Sequence, residues 1–191
     1  MNRHVRLGIN IDHVATLRNA RGGDTPKVIE AAKVVEESGA DLITVHVRED
    51  RRHINEKDLG NILDTVNIPV NLEIAANSEM IDIAINYHPK FVCFVPENRK
   101  EITTEGGLDV IKNFKELNKV LKSITDTEIN VSIFIDPDKE QIKAVNDLGI
   151  STVEFHTGSY ANAFIKKTNI DKEFKKIEEN VLSLIHISEP T

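Results

Sequence analysis

The sequence predicts an α/β fold, and within that class a (β/α)8 TIM barrel of which about six βα units are present. Short β-rich runs alternate with amphipathic stretches along the whole chain. The strand runs are almost continuously apolar, as strands covered by helices are. Five of them also carry polar side chains on one face toward the C-terminal end. An open doubly wound sheet would bury those groups under helices at considerable cost, whereas a closed barrel points them into its mouth, where active sites form. No Gly-x-Gly-x-x-Gly turn follows the first strand, so the dinucleotide-binding form of the open sheet loses support.

The first strand is read over Val5 to Asp12, with Gly8, Asn10 and Asp12 on one face. Thr25 is expected to cap a helix with Pro26 at its first position and Gly39 after its end, burying Val28, Ile29, Ala32 and Val35. The second strand, Leu42 to Val47, aligns Thr44, His46 and Arg48, and a helix from Asn55 sets Leu59, Ile62, Leu63 and Val66 at helical spacing. Strand three, Val70 to Ala75, aligns Asn71 with Glu73, and a helix starts near Ser78. Strand four is Phe91 to Val95, followed by a helix near Leu108 with the clearest apolar stripe: Val110, Phe114, Leu117, Leu121 and Ile124. Strand five, Asn130 to Asp136, aligns Ser132 with Asp136. A helix near Asp138 leads to strand six, Thr152 to His156, which aligns Glu154 with His156.

Complete barrels take roughly 250 residues, and this chain has 191. Residues 182–191 resemble the in-frame translation of a transposase adapter used in preparing sequencing libraries. The expected organisation is therefore a partial barrel domain over 1–181 and a non-native tail over 182–191, with a genuine short helix and loose end as the alternative.

A net charge of −7 argues against general attraction to nucleic acid or an anionic membrane, so an anionic substrate must be held by local arginines. The single cysteine, Cys93, sits in an apolar run and has no disulfide partner, which together with the absence of a signal peptide or spanning segment suggests the cytoplasm. Cys93 reads as inert packing.

His46, Glu73, Glu154 and His156 are the candidate acid–base groups, on three strands whose ends a barrel would gather. Each alone reads more readily as a satisfied structural residue, and it is the joint pattern that points to a site. In the charged run after strand two, Glu49, Asp50 and Arg51 read as a solvated loop, while Arg48 shares a face with His46 and can fork onto a phosphate. Arg18 and Arg21 read either as a second anion grip or, equally, as surface residues. Thr103-Thr104-Glu105-Gly106-Gly107 is either a phosphate cradle at a helix start or a simple flexible loop. No metal is expected, because no His-x-x-x-His or Cys-x-x-Cys spacing occurs.

Four segments together resemble the pyridoxine 5′-phosphate synthase family: Gly8 to Gly22, Thr44 to Ile54, Asn71-Leu72-Glu73 and Thr103 to Val110, joined by Glu154-Phe155-His156-Thr157-Gly158. The resemblance implies a cytoplasmic (β/α)8 enzyme of vitamin B6 synthesis, a homo-octamer that requires no cofactor. It joins 1-deoxy-D-xylulose 5-phosphate to 3-amino-2-oxopropyl phosphate, giving pyridoxine 5′-phosphate, phosphate and water. By motif, His46 and Glu73 would accept protons and Glu154 would support the transition state. Asp12, His13, Arg48, His53 and Thr103 would hold the deoxyxylulose phosphate, and Asn10 and Arg21 the amino ketone phosphate. The family's proton-donor histidine and a Gly-His pair belong to strands seven and eight, and His186 does not replace them, so little activity is expected of this chain. The rival readings are a metal-dependent phosphosugar isomerase or epimerase using His46, Glu73, Glu154 and His156, and a catalytically dead binding fragment.

Overall fold

The computed structural model describes residues 5–97 and 106–188. It divides into two compact units, Met1–Cys93 with Ile124–Asn130, and Phe94–Ser123 with Val131–Thr191.

The first unit is built from β1 (Gly8–Asn10), α1 (Asp12–Arg21), α2 (Val28–Glu37), β2 (Leu42–His46), α3 (Glu56–Thr65), β3 (Val70–Ile74), α4 (Ser78–Tyr87) and most of β4 (Phe91–Phe94). Its strands neighbour one another in chain order. The parallel register sets Asn10 against Thr44 and Thr44 against Asn71, and then His46 against Glu73. Paired residues of a parallel sheet share a face, so these form two successive polar rows. The alternate residues Ile43, Val45, Leu72 and Ile74 are fully buried, together with Leu59 and Ile62 of α3 and Met80 of α4. Two side-chain caps start the helices where expected: Asn55 forms a capping box with Asp58, and Asn77 accepts the Met80 N–H.

The second unit holds α5 (Val110–Ile124), β5 (Asn130–Ile135), α6 (Lys139–Asp147), β6 (Val153–Phe155), α7 (Gly158–Lys166) and α8 (Ile170–Ser188), apart from the ends of α5 and β5 that fall in the first unit. β5 and β6 pair in parallel, with Phe134 opposite Glu154. Asp138 caps α6 through the Glu140 and Gln141 N–H groups.

The fold is thus α/β, an incomplete (β/α)8 barrel, with the strands where the sequence places them. β1 is shorter than the run Val5 to Asp12, because Asn10 Oδ1 takes the Asp12 N–H and turns the chain directly into α1. The expected Thr25 cap is not formed: Lys27 keeps an extended backbone and α2 begins only at Val28. Within α2, Val28 and Ala32 are buried while Ile29 and Val35 are half-buried. α5 begins at Val110 rather than Leu108, whose N–H is held by Phe134 O at 2.7 Å. Among the described residues no helix is long and apolar enough to cross a membrane.

Candidate active site

The polar rows of the first unit meet at the end of β1. Asp12 opens α1 and is only 5% exposed. Its Oδ1 accepts the His46 backbone N–H at 2.7 Å and its Oδ2 accepts Asn10 Nδ2 at 2.9 Å. Burial raises the Asp12 pKa, against the His46 N–H, the Asn10 amide and the His46 and His13 charges, which pull it down. His46 Nδ1 lies 3.7 Å from Glu73 Oε2, so an imidazole and a carboxylate face each other across adjoining strands. This pair can take and return protons.

His53 follows β2 on the loop leading to α3 and is buried. Its Nδ1 lies 2.7 Å from Thr16 Oγ1 on α1, and its ring stands edge-on to His13 at 5.6 Å and tilted to His46 at 6.3 Å. Burial, reinforced by the positive charge of His46, Arg48, His13 and Arg52, lowers its pKa from 6.5 to about 4. Arg48 is 3% exposed, with Nε 3.7 Å from Asp50 Oδ1. Arg48 is thus a buried guanidinium near enough to His53 to help lower its pKa.

The loop is pinned to α1. Asn19 Nδ2 donates to Arg52 O and His53 O, and Arg18 forks onto Asp58 at 2.6 and 2.9 Å. That bidentate pair corrects the expectation that Arg18 grips substrate, because its guanidinium is committed to fastening α1 on α3. Arg51 is not a solvated loop residue either. A left-handed backbone (φ 53°) turns its half-buried side chain onto Glu56 and Glu79 and onto the carbonyls of Arg48 and Glu49.

Asn10, Asp12, His13, Arg48, His53, His46 and Glu73 therefore all lie in the first unit. Asn10 and His13 are exposed, as is Arg21 in the last turn of α1. Thr103 lies outside the described residues. Glu154 is exposed on β6 in the second unit. There, Asp136 Oδ1 meets His156 Nδ1 at 2.9 Å, beside a cavity of about 140 Å³ lined in part by Ser159, Tyr160 and Lys176. Two glycines enclose this pair. A Cβ on Gly107 would collide with the Ile135 and Asp136 backbone, and one on Gly158 with the His156 ring.

Among the described residues, Asp12, His46 and Glu73 bring donor atoms within 4.8 Å of one another, the set that could hold a cation. Both Asp12 oxygens already accept N–H donors, so an ion would compete with the bonds that fix His46. The reading of the sequence missed Thr16, Asn19 and Asp58. Gly22, left-handed at the end of α1, was the one local sign of a helix before it, and nothing local pointed to the partners of Thr16, Asn19 or Asp58.

The family described as "Pyridoxal phosphate biosynthesis protein PdxJ" matches residues 7–185. The pyridoxine 5′-phosphate synthase of Rhodospirillum rubrum is 50% identical over 163 residues, covering 85% of this chain and 66% of that protein. The enzyme of the same name from Idiomarina loihiensis is 52% identical, covering 83% and 66%. That from Pseudoalteromonas translucida is 47% identical, covering 94% and 73%. The chain thus spans about two thirds of the length of the first two relatives, at 66% each. A crystal structure of mandelate oxidase superimposes with a TM-score of 0.64 at 11% identity, over 96% of this chain and 65% of that one, a likeness of fold alone.

Proposed function

The chain belongs to the family of pyridoxal phosphate biosynthesis protein PdxJ, and from that membership and the site we propose that it is part of a pyridoxine 5′-phosphate synthase. The reaction condenses 1-deoxy-D-xylulose 5-phosphate with 3-amino-2-oxopropyl phosphate and releases phosphate and water. Condensing an amine with a ketone, dehydrating and closing an aromatic ring are serial proton transfers. The substrate supplies the amine, so the protein needs bases and anion grips rather than a nucleophile.

The observation that carries this reading is the His46–Glu73 pair at 3.7 Å, with His46 fixed through its own N–H by Asp12. The two groups stand ready to remove protons in turn. Buried Arg48 and His53 supply a grip for the phosphosugar, with Thr103 and His13 assigned beside them by motif. Asn10 and Arg21 are assigned to the amino ketone phosphate, and Glu154 to the transition state. A cytoplasmic location, homo-octameric assembly and cofactor-free chemistry belong to the same reading and rest on the family resemblance.

The test is product formation and phosphate release from the two substrates, with calorimetry for the deoxyxylulose phosphate. The 191-residue chain is expected to bind that phosphosugar with little turnover. In a chain of the relatives' full length, His46→Asn or Glu73→Gln is expected to lower turnover by about 10²- to 10⁴-fold. Chelator-sensitive isomerisation of a sugar phosphate would instead establish the metal-dependent rival.

A further inference from the structure

Of the four candidate acid–base groups, His156 alone is given no role by the family motif. It extends the β5–β6 ladder by one step, its N–H donating to Ile135 O at 2.8 Å. Alternate residues of a strand share a face, so His156 stands on the face of Glu154, about 7 Å further along. Asp136, the residue after β5, has Oδ1 2.9 Å from His156 Nδ1. An ionised carboxylate accepts and cannot donate, so Nδ1 carries the proton of this bond. A neutral imidazole has one donor and one acceptor nitrogen, which leaves Nε2 bare. Among the described residues Nε2 has no hydrogen-bond partner. The ring is 16% exposed, set edge-on to Phe134 at 5.4 Å and pressed against Gly158, where a Cβ would strike Nε2 and Cε1. His156 also lines the cavity of about 140 Å³, a space that can take a molecule of about six heavy atoms.

We propose that Asp136 and His156 form a second proton-transfer dyad, in which Asp136 is a positioning residue that keeps the proton on Nδ1 and His156 Nε2 takes a proton from the substrate. The proton moves to Nε2, the substrate atom keeps the electron pair, and the imidazolium so formed faces the Asp136 carboxylate. Returned to a departing hydroxyl, that proton completes the water that the condensation releases. A bare nitrogen offers a lone pair and no N–H, so His156 meets hydroxyl or amine hydrogens of the substrate and not its phosphates. The part in turnover rests on the proposed function, in which neighbouring Glu154 is assigned to the transition state. The dyad rests on the geometry.

Nitrogen-15 NMR of the histidine-labelled 191-residue chain reads the dyad at about pH 8, where an imidazole is ordinarily neutral. With the signals assigned by His156→Gln, Nδ1 should be protonated and Nε2 bare. Asp136→Asn should turn that single form into a mixture of tautomers, because an amide can offer Nδ1 either an oxygen or an N–H. A ring protonated at Nε2, or a tautomer indifferent to Asp136→Asn, overturns the proposal. In a chain of the relatives' full length, His156→Gln should lower kcat about 10²- to 10⁴-fold with KM within about threefold, and Asp136→Asn should fall between it and wild type. An unchanged kcat in folded His156→Gln overturns the proposal as well. If Asp136→Asn fails to fold, the wild-type spectrum and the His156→Gln turnover still decide. If the full-length wild type makes no pyridoxine 5′-phosphate, the functional reading fails while the spectrum judges the dyad separately.

Discussion

His53 should make the protein sensitive to mild acid. Its folded-state pKa, about 4, lies below the ordinary 6.5, so between those values the unfolded chain binds a proton that the folded one refuses. The contribution is complete above pH 6.5 and is lost as pH falls toward 4, at no more than about 1.4 kcal/mol per pH unit. Across that interval the loss is at most about 3 kcal/mol. Part of the depression comes from His46, Arg48, His13 and Arg52, whose influence salt weakens, so about 2 kcal/mol is the figure expected at physiological ionic strength. His53→Gln removes the titration while keeping a polar group beside Thr16. Urea unfolding of both proteins at pH 7.5 and 4.5 is the assay. Wild type should lose about 2 kcal/mol more than the variant over that span. Parallel losses in the two proteins would refute the placement of a neutral, buried His53 among positive groups.

Arg18→Met and Asp58→Asn, alone and together, should give a coupling energy of about 1–2 kcal/mol in a double-mutant cycle, more than an exposed pair, because the bidentate side chains are only 14% and 12% exposed. Gly107→Ala should cost about 2–4 kcal/mol by thermal or urea unfolding, because its Cβ meets backbone that cannot rotate away. Gly158→Ala should cost less, about 1–2 kcal/mol, because the His156 ring can swing, and it should weaken the 2.9 Å bond to Asp136, visible in the His156 NMR signals.

The strands were legible because their signal is local: apolar runs such as Leu42 to Val47 can bury both faces only in a covered sheet, and the polar residues break that run at alternate positions. The helix starts at Asn55, near Ser78 and near Asp138 were equally readable, since a start signal is a relation between neighbours, and the structure caps them with Asn55, Asn77 and Asp138. Thr25-Pro26 carried the same local signal and misled, because Lys27 stays extended and delays α2. α1 went unseen for a different reason. The sequence Asp12 to Arg21 has Ala15 as its one buried apolar residue, so no stripe announces a helix. α7 and α8 were also missed. The roles of Arg18 and Thr16 depend on partners 40 and 37 residues away, and no spacing rule reaches them.

What holds α1 in place explains why the site and the fold are hard to separate. A helix with one buried apolar side chain gains little from burial, and isolated helices of this length are marginal in water. Its docking comes instead from polar bonds: Asp12 to the His46 N–H, Thr16 to His53, Asn19 to the Arg52 and His53 carbonyls, and Arg18 to Asp58. Of these, the Asp12, Thr16 and Asn19 bonds end on the residues read as base and phosphate grip, the Asn19 bond at the His53 carbonyl alone. Such bonds contribute about 1 kcal/mol each when formed and cost more when one partner is left buried alone. A substitution at Asp12 or Thr16 therefore loosens the helix and misplaces His46 or His53 in the same event. Arg18, which touches neither His46 nor His53, is the position where the anchoring of α1 can be weakened with both imidazoles and their main chain left in place.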